Sequence, residues 1–338
     1  MTRLDSSRVE VVVTADDGDG DLVEHYRRVF HKEETKEIRL FGLLGDDMFS
    51  IEGEARQSIL VRVIPGRGND LVEDRSTVGK GPKKTHVYAR DAGDSVTIGP
   101  EVLRKNIPFD DAYTYQRTAF AYNTYLPVFY GFYTGDNGFL AGGNITFTRH
   151  NYNKPDFSAQ HTLTALFSTL GNVFFGYRAT LRHVVGQWDL TLATEASRRR
   201  RFNYFFGLGN ETTFDETLLR IDYYTLRYTS VFAEVGLRRE FWKRSSFSGA
   251  FRLTANSKQS ETDNIFDDLD LPDRFGLVPL RIGELIWTLD MDLRDGSFIP
   301  QQGMRIFVQG KAAALLNETG TYSSTRAMVE WHGTARPF

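Results

Sequence analysis

Residues 284–294 read ELIWTLDMDLR, and this stretch decides the fold of the second part of the chain. Its apolar side chains occupy every second position: Leu285, Trp287, Leu289, Met291 and Leu293. Polar or charged groups occupy positions between them: Glu284, Thr288, Asp290, Asp292 and Arg294. Alternation with a period of two is typical of a β-strand with one apolar and one polar face. The stretch therefore predicts an amphipathic strand.

Similar alternation recurs through most of the chain from residue 113 onward. It predicts about ten strands, near residues 121–134, 138–149, 159–170, 172–185, 187–196, 219–241, 246–256, 282–294, 303–316 and 321–335. Such strands fit a soluble sandwich, which buries the apolar face against a second sheet. They also fit a transmembrane β-barrel, which turns the apolar face to lipid.

Three features favour the barrel over the sandwich. The strands are long compared with the usual five to six residues or so. The polar faces carry full charges of both signs, and aromatic residues cluster near strand ends, as in 122–133 and 202–206.

The lengths of the connections also fit a barrel. If the first strand starts on the periplasmic side, the long connections 197–218 and 257–281 both fall on the outer side. Short turns near Gly186, Lys243 and 296–302 fall on the inner side, which is the usual arrangement in such barrels.

Composition excludes several function classes. The 41 Lys and Arg against 44 Asp and Glu leave a net charge of −3, so no nucleic-acid partner is expected. Cysteine is absent, which removes disulfides, thiolate metal sites and a thiol nucleophile. The first residues lack an apolar signal core, so the protein is either cytosolic or begins upstream of Met1.

Residues 1–110 differ in sequence pattern, being charged and interrupted by glycine and aspartate, and they are predicted to form a β-rich domain with glycine-aspartate turns. Short apolar runs are each followed by an acidic glycine turn, and Asp21, Asp47 and Asp70 recur at a spacing of roughly 25 residues. These units resemble degenerate copies of the glycine-aspartate repeat that binds calcium in parallel β-rolls. Asp47 and Asp70 are therefore candidate calcium ligands. The alternative is that Asp and Gly only make tight turns between strands.

Two motifs in the second part carry a family resemblance. The first is a loop containing Phe206, Gly207, Gly209, Asn210 and Glu211; the second is a turn containing Asp292, Arg294, Asp295, Pro300 and Gly303. Both are similar to signatures of the bacterial surface-antigen barrel family, the outer-membrane assembly barrels of the BamA and TamA kind. The segment before residue 110 also looks like one that follows a calcineurin-like metallophosphoesterase domain in some members.

The resemblance implies an all-β protein in which residues 113–338 form an incomplete antiparallel transmembrane barrel, about ten of sixteen strands. It implies a location in the outer membrane of a Gram-negative bacterium, with outer-membrane lipid and client outer-membrane proteins as partners. The implied work is the insertion or translocation of proteins or lipids. The chain is expected to be a fragment of a longer protein.

No catalytic site is predicted in this chain, and no cofactor beyond the calcium already considered. The seven histidines include no His-x-His or Asp-x-His pair, which a two-metal phosphoesterase needs. No phosphate-binding lysine loop or nucleophile elbow occurs either. Two alternatives stay open: the membrane anchor of a secreted metallophosphoesterase, whose catalytic motifs would lie upstream, and a soluble β-sandwich that binds a ligand.

Overall fold

The computed structural model describes all residues except 80, 90–92, 98, 106–114, 116–120, 136, 153–155, 208–211, 213–214, 221–222, 243, 259–264, 266–278 and 334–338. The chain divides into two compact units, Met1–Phe120 and Ala121–Phe338. Nearly all regular structure in the described part is β-strand, which confirms the predicted all-β class. No helix in that part is both long enough and apolar enough to cross a membrane.

The first unit contains twelve short strands. They are β1 (Thr2–Arg3), β2 (Arg8–Asp16), β3 (Leu22–His31), β4 (Glu37–Phe41), β5 (Met48–Ile51), β6 (Glu54–Ala55), β7 (Leu60–Ile64), β8 (Leu71–Asp74), β9 (Thr77–Val78), β10 (Thr85–Val87), β11 (Ser95–Thr97) and β12 (Val102–Arg104). Strands β1 to β3 form an antiparallel sheet. The others form parallel sheets in the orders β12-β10-β7-β4, β11-β8-β5 and β6-β9.

The parallel sheets stack successive coils of the chain. Ile38 pairs with Val61, and Val61 pairs with Thr85, so neighbouring coils are 23 and 24 residues apart. Aliphatic side chains on these strands, such as Val63 and Val87, are fully buried between the sheets. Each coil thus covers the apolar residues of the next, as in other solenoids.

One part of the expected repeat is wrong. Asp21 was expected to repeat the unit that contains Asp47 and Asp70, but it lies in the turn between β2 and β3, where the Asp17 N–H donates to the Asp21 carbonyl. The two flanking strands pair antiparallel because this turn reverses the chain at once. The approximate period read from the sequence therefore holds only from β4 onward.

The second unit is a single ten-stranded antiparallel sheet in sequence order, which confirms the predicted strand number and pairing. Its strands are β13 (Thr124–Thr134), β14 (Gly138–Arg149), β15 (Ala159–Ser168), β16 (Val173–Val185), β17 (Trp188–Tyr204), β18 (Thr225–Phe241), β19 (Ser245–Lys258), β20 (Leu280–Asp292), β21 (Gly303–Leu315) and β22 (Thr321–His332). Strands β13 and β22 are the two edges.

Two departures from the expected strands lie on either side of the connection between β17 and β18. Strand β17 continues to Tyr204, so the first eight residues of the expected connection 197–218 are strand. Helix α1 (Glu216–Arg220) occupies the start of the predicted strand 219–241, and β18 begins only at Thr225. The Thr217 N–H donates to the Asp215 carboxylate at 2.7 Å, which caps the helix and starts it here. The connections 205–224 and 259–279 leave the same end of the sheet, whereas 186–187, 242–244 and 293–302 close the opposite end.

Candidate functional site: the two faces of the ten-stranded sheet

Directly paired residues of an antiparallel sheet project from the same face, so the register assigns every strand position to a face. One row joins Tyr125, Phe147, His161, Ala179, Leu192, Val235, Phe251, Leu285, Ala312 and Ser323; we call its side the Leu285 face. The neighbouring row joins Leu126, Thr146, Thr162, Arg178, Ala193, Glu234, Arg252, Glu284, Ala313 and Tyr322; its side is the Glu284 face.

The exposure of the two faces is the reverse of that in a soluble protein. On the Leu285 face of β20, Leu285 is 60% exposed and Trp287 is 41% exposed. On the Glu284 face of the same strand, Glu284 is 5% exposed and Asp292 is 6% exposed. Large apolar side chains thus face outward while ionised groups are covered, although charged groups are ordinarily the last to be buried.

The covered charges are paired across strands. Arg252 donates to Glu234 at 2.7 Å, and Lys311 lies 2.8 Å from Glu284. The Glu284 carboxylate also accepts a hydrogen bond from the Tyr322 hydroxyl at 3.0 Å. Pairing offsets part of the desolvation cost of each charge and holds these side chains in fixed positions on the Glu284 face of β18–β22.

A charge network on this face lies where β16, β17 and β18 meet. Arg182 donates to the Asp189 carboxylate at 2.9 Å and to Glu240 at 3.0 Å. The other oxygen of Asp189 accepts the backbone N–H of His183 at 2.8 Å. His183 has a positive φ of 51°, next to a register shift between Leu181 and Val185. The network therefore fastens an irregular strand end, and no sequence pattern indicated it.

The predicted turn motif forms a second network at the same end of the sheet. The Arg294 guanidinium donates to both oxygens of Asp292, at 2.8 and 3.0 Å, and to Glu330 at 3.2 Å. Arg244, from the turn between β18 and β19, also reaches Asp292 at 3.3 Å. The sequence placed Asp292 and Arg294 on one polar face but gave no sign of the participation of Arg244 and Glu330. Those two residues come from distant turns and strands, which only the sheet register brings together.

The remaining motif residues shape the turn itself. Asp295 accepts the Gln301 N–H at 3.0 Å and donates its own N–H to the Gln302 carbonyl. Backbone N–H groups, that of Gln302 first, hold the pKa of the Asp295 carboxyl below its usual range. Gly303 begins β21 at a φ of +117°, and Pro300 precedes that strand, where its missing N–H costs no ladder bond.

The predicted loop motif is only partly within the described residues. Gly207 has a φ of +114°, and the Phe206 ring lies 5.0 Å from the Tyr224 ring. Gly209, Asn210 and Glu211 lie outside the described residues. The described part thus packs the start of the long connection against the residue that precedes β18.

The candidate calcium ligands lie in successive coils of the first unit. The Asp47 N–H donates to Asp70 at 2.8 Å, and the Asp70 N–H donates to Asp94 at 3.4 Å. Burial, with smaller effects from the charges of Asp94 and Asp47, raises the pKa of Asp70. The aspartates therefore cap the turn of the neighbouring coil. Among the described residues, no group of three or more His, Asp or Glu has the geometry to hold a metal, so calcium binding stays a prediction.

Comparison with known proteins adds no family assignment. No protein-family model matches the chain, and no curated protein matches it.

Proposed function

We propose that residues 121–338 form the membrane-spanning wall of an outer-membrane β-barrel that takes part in inserting or translocating proteins or lipids. The observation that carries the proposal is the reversed exposure of the two faces. A row of exposed apolar side chains lies back to back with a row of covered, paired charges. Lipid is the solvent that favours this arrangement, because apolar side chains then meet hydrocarbon and polar ones meet a wet interior.

The arrangement also argues against the soluble sandwich. A sandwich packs its apolar faces together and leaves its polar faces in water. In the described part of this sheet, Leu285, Phe251 and Val235 are exposed and no second sheet covers them. Fully burying a side chain of this size is worth roughly 1.5–3 kcal/mol in water, and these three keep about half of their surface exposed. Exposed apolar side chains of this kind on several neighbouring strands are expected to require lipid or detergent.

The distribution of connections supports a fixed orientation in the membrane. The two longest connections, 205–224 and 259–279, leave one end of the sheet, and every connection at the other end is ten residues long or shorter. Barrels of the outer membrane carry long loops outside and short turns in the periplasm. The end that holds Arg294 and Arg182 is then the periplasmic end, and the partners of this wall are outer-membrane lipid and the proteins or lipids being moved.

Two adjacent positions on β20 test the assignment of the faces. Leu289→Arg places a charge on the Leu285 face, where insertion into lipid should cost roughly 2–4 kcal/mol at mid-bilayer depth. Thr288→Arg places the same side chain on the Glu284 face, where it is hydrated. Both variants are targeted to the outer membrane. The inserted fraction is measured on a gel, from the protein whose migration changes on heating. We expect Leu289→Arg to lose most of the inserted form and Thr288→Arg to keep it; equal tolerance of both would refute the membrane assignment.

A further inference from the structure

The Glu284 face is not uniform, and its difference along the sheet points to a ligand. On β18–β22 it carries the paired charges described above. On β13–β16 it carries apolar side chains near the end of the long connections: Val128, Tyr130, Phe132, Leu140, Leu166 and Phe174. We call this set the apolar patch. Strand β13 is therefore apolar on both faces, unlike β18–β22.

The apolar patch has a shallow floor made by glycine. A Cβ built on Gly142 would lie 2.8 Å from the Leu166 side chain, and one on Gly176 would lie 3.2 Å from the Phe174 ring. The Leu166 side chain and the Phe174 ring thus lie over glycine backbone instead of projecting away from the sheet. The four patch residues on β13 and β14 have threonines and Asn144 as polar neighbours, and none of these carries a charge. The patch is therefore apolar and uncharged.

One unpaired cation adjoins this patch. Arg178 lies on the same face, in the row of Leu126 and Thr162, and its side chain is exposed. Within the described part of the chain Arg178 makes no hydrogen bond or ion pair, whereas Arg182, Arg252, Arg294 and Arg305 on this face all pair with carboxylates. Glu195 on β17 lies diagonally across from Arg178 and has an interaction that does not involve it. A guanidinium with free donors is suited to bind a phosphate.

We infer that the Glu284 face of β13–β16 binds one acyl chain of an anionic phospholipid along the apolar patch, with its phosphate at Arg178. This inference rests on the proposed function and selects lipid as the class of molecule that is moved. The complementarity is of charge and length. The patch on β13 runs from Val128 to Phe132 and spans about 13 Å at 3.3 Å per residue, close to the roughly 15 Å of one leaflet in a hydrocarbon core about 30 Å thick. A client β-strand would meet the apolar patch but has no required anion for Arg178.

The absence of cysteine allows a site-specific test in the full chain. Thr164→Cys reports from the Glu284 face and Ala165→Cys from the Leu285 face, each labelled with a small fluorophore in detergent micelles. The probes are phosphatidic acid and phosphatidylcholine, both with brominated acyl chains that quench fluorescence. We expect phosphatidic acid to quench the Thr164→Cys label saturably, at a concentration at least about tenfold lower than phosphatidylcholine needs.

Arginine variants separate the headgroup contact from general attraction to charge. Arg178→Gln in the labelled protein should raise the half-saturating concentration of phosphatidic acid at least about tenfold, as expected for one lost charge-assisted hydrogen bond. The matched control is Arg326→Gln, on the same face of β22, where the guanidinium lies over the Phe307 ring. We expect this control to bind like the parent. Equal effects of the two variants would overturn the assignment of Arg178.

The two labels also distinguish failure of this inference from failure of the proposed function. Both lipids should quench the Ala165→Cys label without saturation if the Leu285 face meets lipid; no quenching there refutes the proposed function. Quenching at Ala165→Cys with none at Thr164→Cys would overturn only the lipid site. Displacement of the lipid by millimolar inorganic phosphate would show an anion site without chain binding, and protection of Thr164→Cys by an apolar β-strand peptide instead of lipid would show a protein client; either result overturns the inference.

Discussion

Replacing Gly303 by alanine should destabilise the ten-stranded sheet by an amount that the turn geometry sets. Gly303 has a φ of +117°, and an added Cβ would lie 2.6 Å from both the Arg294 Cα and the Leu293 carbonyl oxygen. A positive φ costs an L-residue about 1–2 kcal/mol. The overlap is with backbone, which cannot rotate away, and overpacking of this kind costs about 1–3 kcal/mol. The two terms together predict a loss of about 3 kcal/mol in the free energy of unfolding.

Gly249→Ala is the matched control, because it makes the same chemical change in the same sheet. Gly249 lies within β19, and a Cβ there would meet nothing within 4 Å. Alanine restricts the unfolded chain more than glycine does, so this variant should gain about 0.4–1 kcal/mol. Any effect of Gly303→Ala beyond that of Gly249→Ala then belongs to the turn.

Urea unfolding in detergent micelles, followed by tryptophan fluorescence, measures both variants. All four tryptophans, Trp188, Trp242, Trp287 and Trp331, lie in the second unit, so the signal reports on the sheet. A Gly303→Ala variant as stable as Gly249→Ala would show that the turn does not hold the described conformation. The structural explanation of the Asp292–Gly303 motif would then be wrong.

The remaining predictions concern the first unit. Burial first, and then the charges of Arg62 and Lys105, lower the pKa of His86 to about 4. The unfolded chain takes up this proton near pH 6.5, so His86 should destabilise the unit as pH falls from about 6.5 to 4. Amide exchange of Leu60–Ile64 should speed up over that window, and less so in His86→Gln; Asp70, whose pKa is raised, acts in the opposite direction in both proteins. Millimolar calcium should slow exchange around Asp47 and Asp70 if these aspartates bind it, and Asp70→Asn should remove the effect. Identical exchange with and without calcium would leave these residues as turn caps only.

The amino-acid sequence by itself determined the strands and their two-sided character. Side-chain direction alternates along any strand, so a period of two predicts both the strand and the division of its residues between two faces. This is why eight of the ten strands of the second unit were predicted to within three residues of their observed bounds, whereas the predicted end of β17 falls eight residues before Tyr204. The start of β18 was missed because the Asp215 cap favours a helix over a local continuation of the strand.

Tertiary structure decided which residues meet, because strand register joins positions far apart in the chain. Arg244 and Glu330 join the Asp292–Arg294 pair across turns and strands that no local spacing connects. Asp94 joins Asp70 only because the coils of the first unit repeat at 24 residues at that point. The same holds for Arg178. The register of four strands places Arg178 beside the apolar patch. In the sequence, Arg178 does not differ from the other arginines on alternating strands.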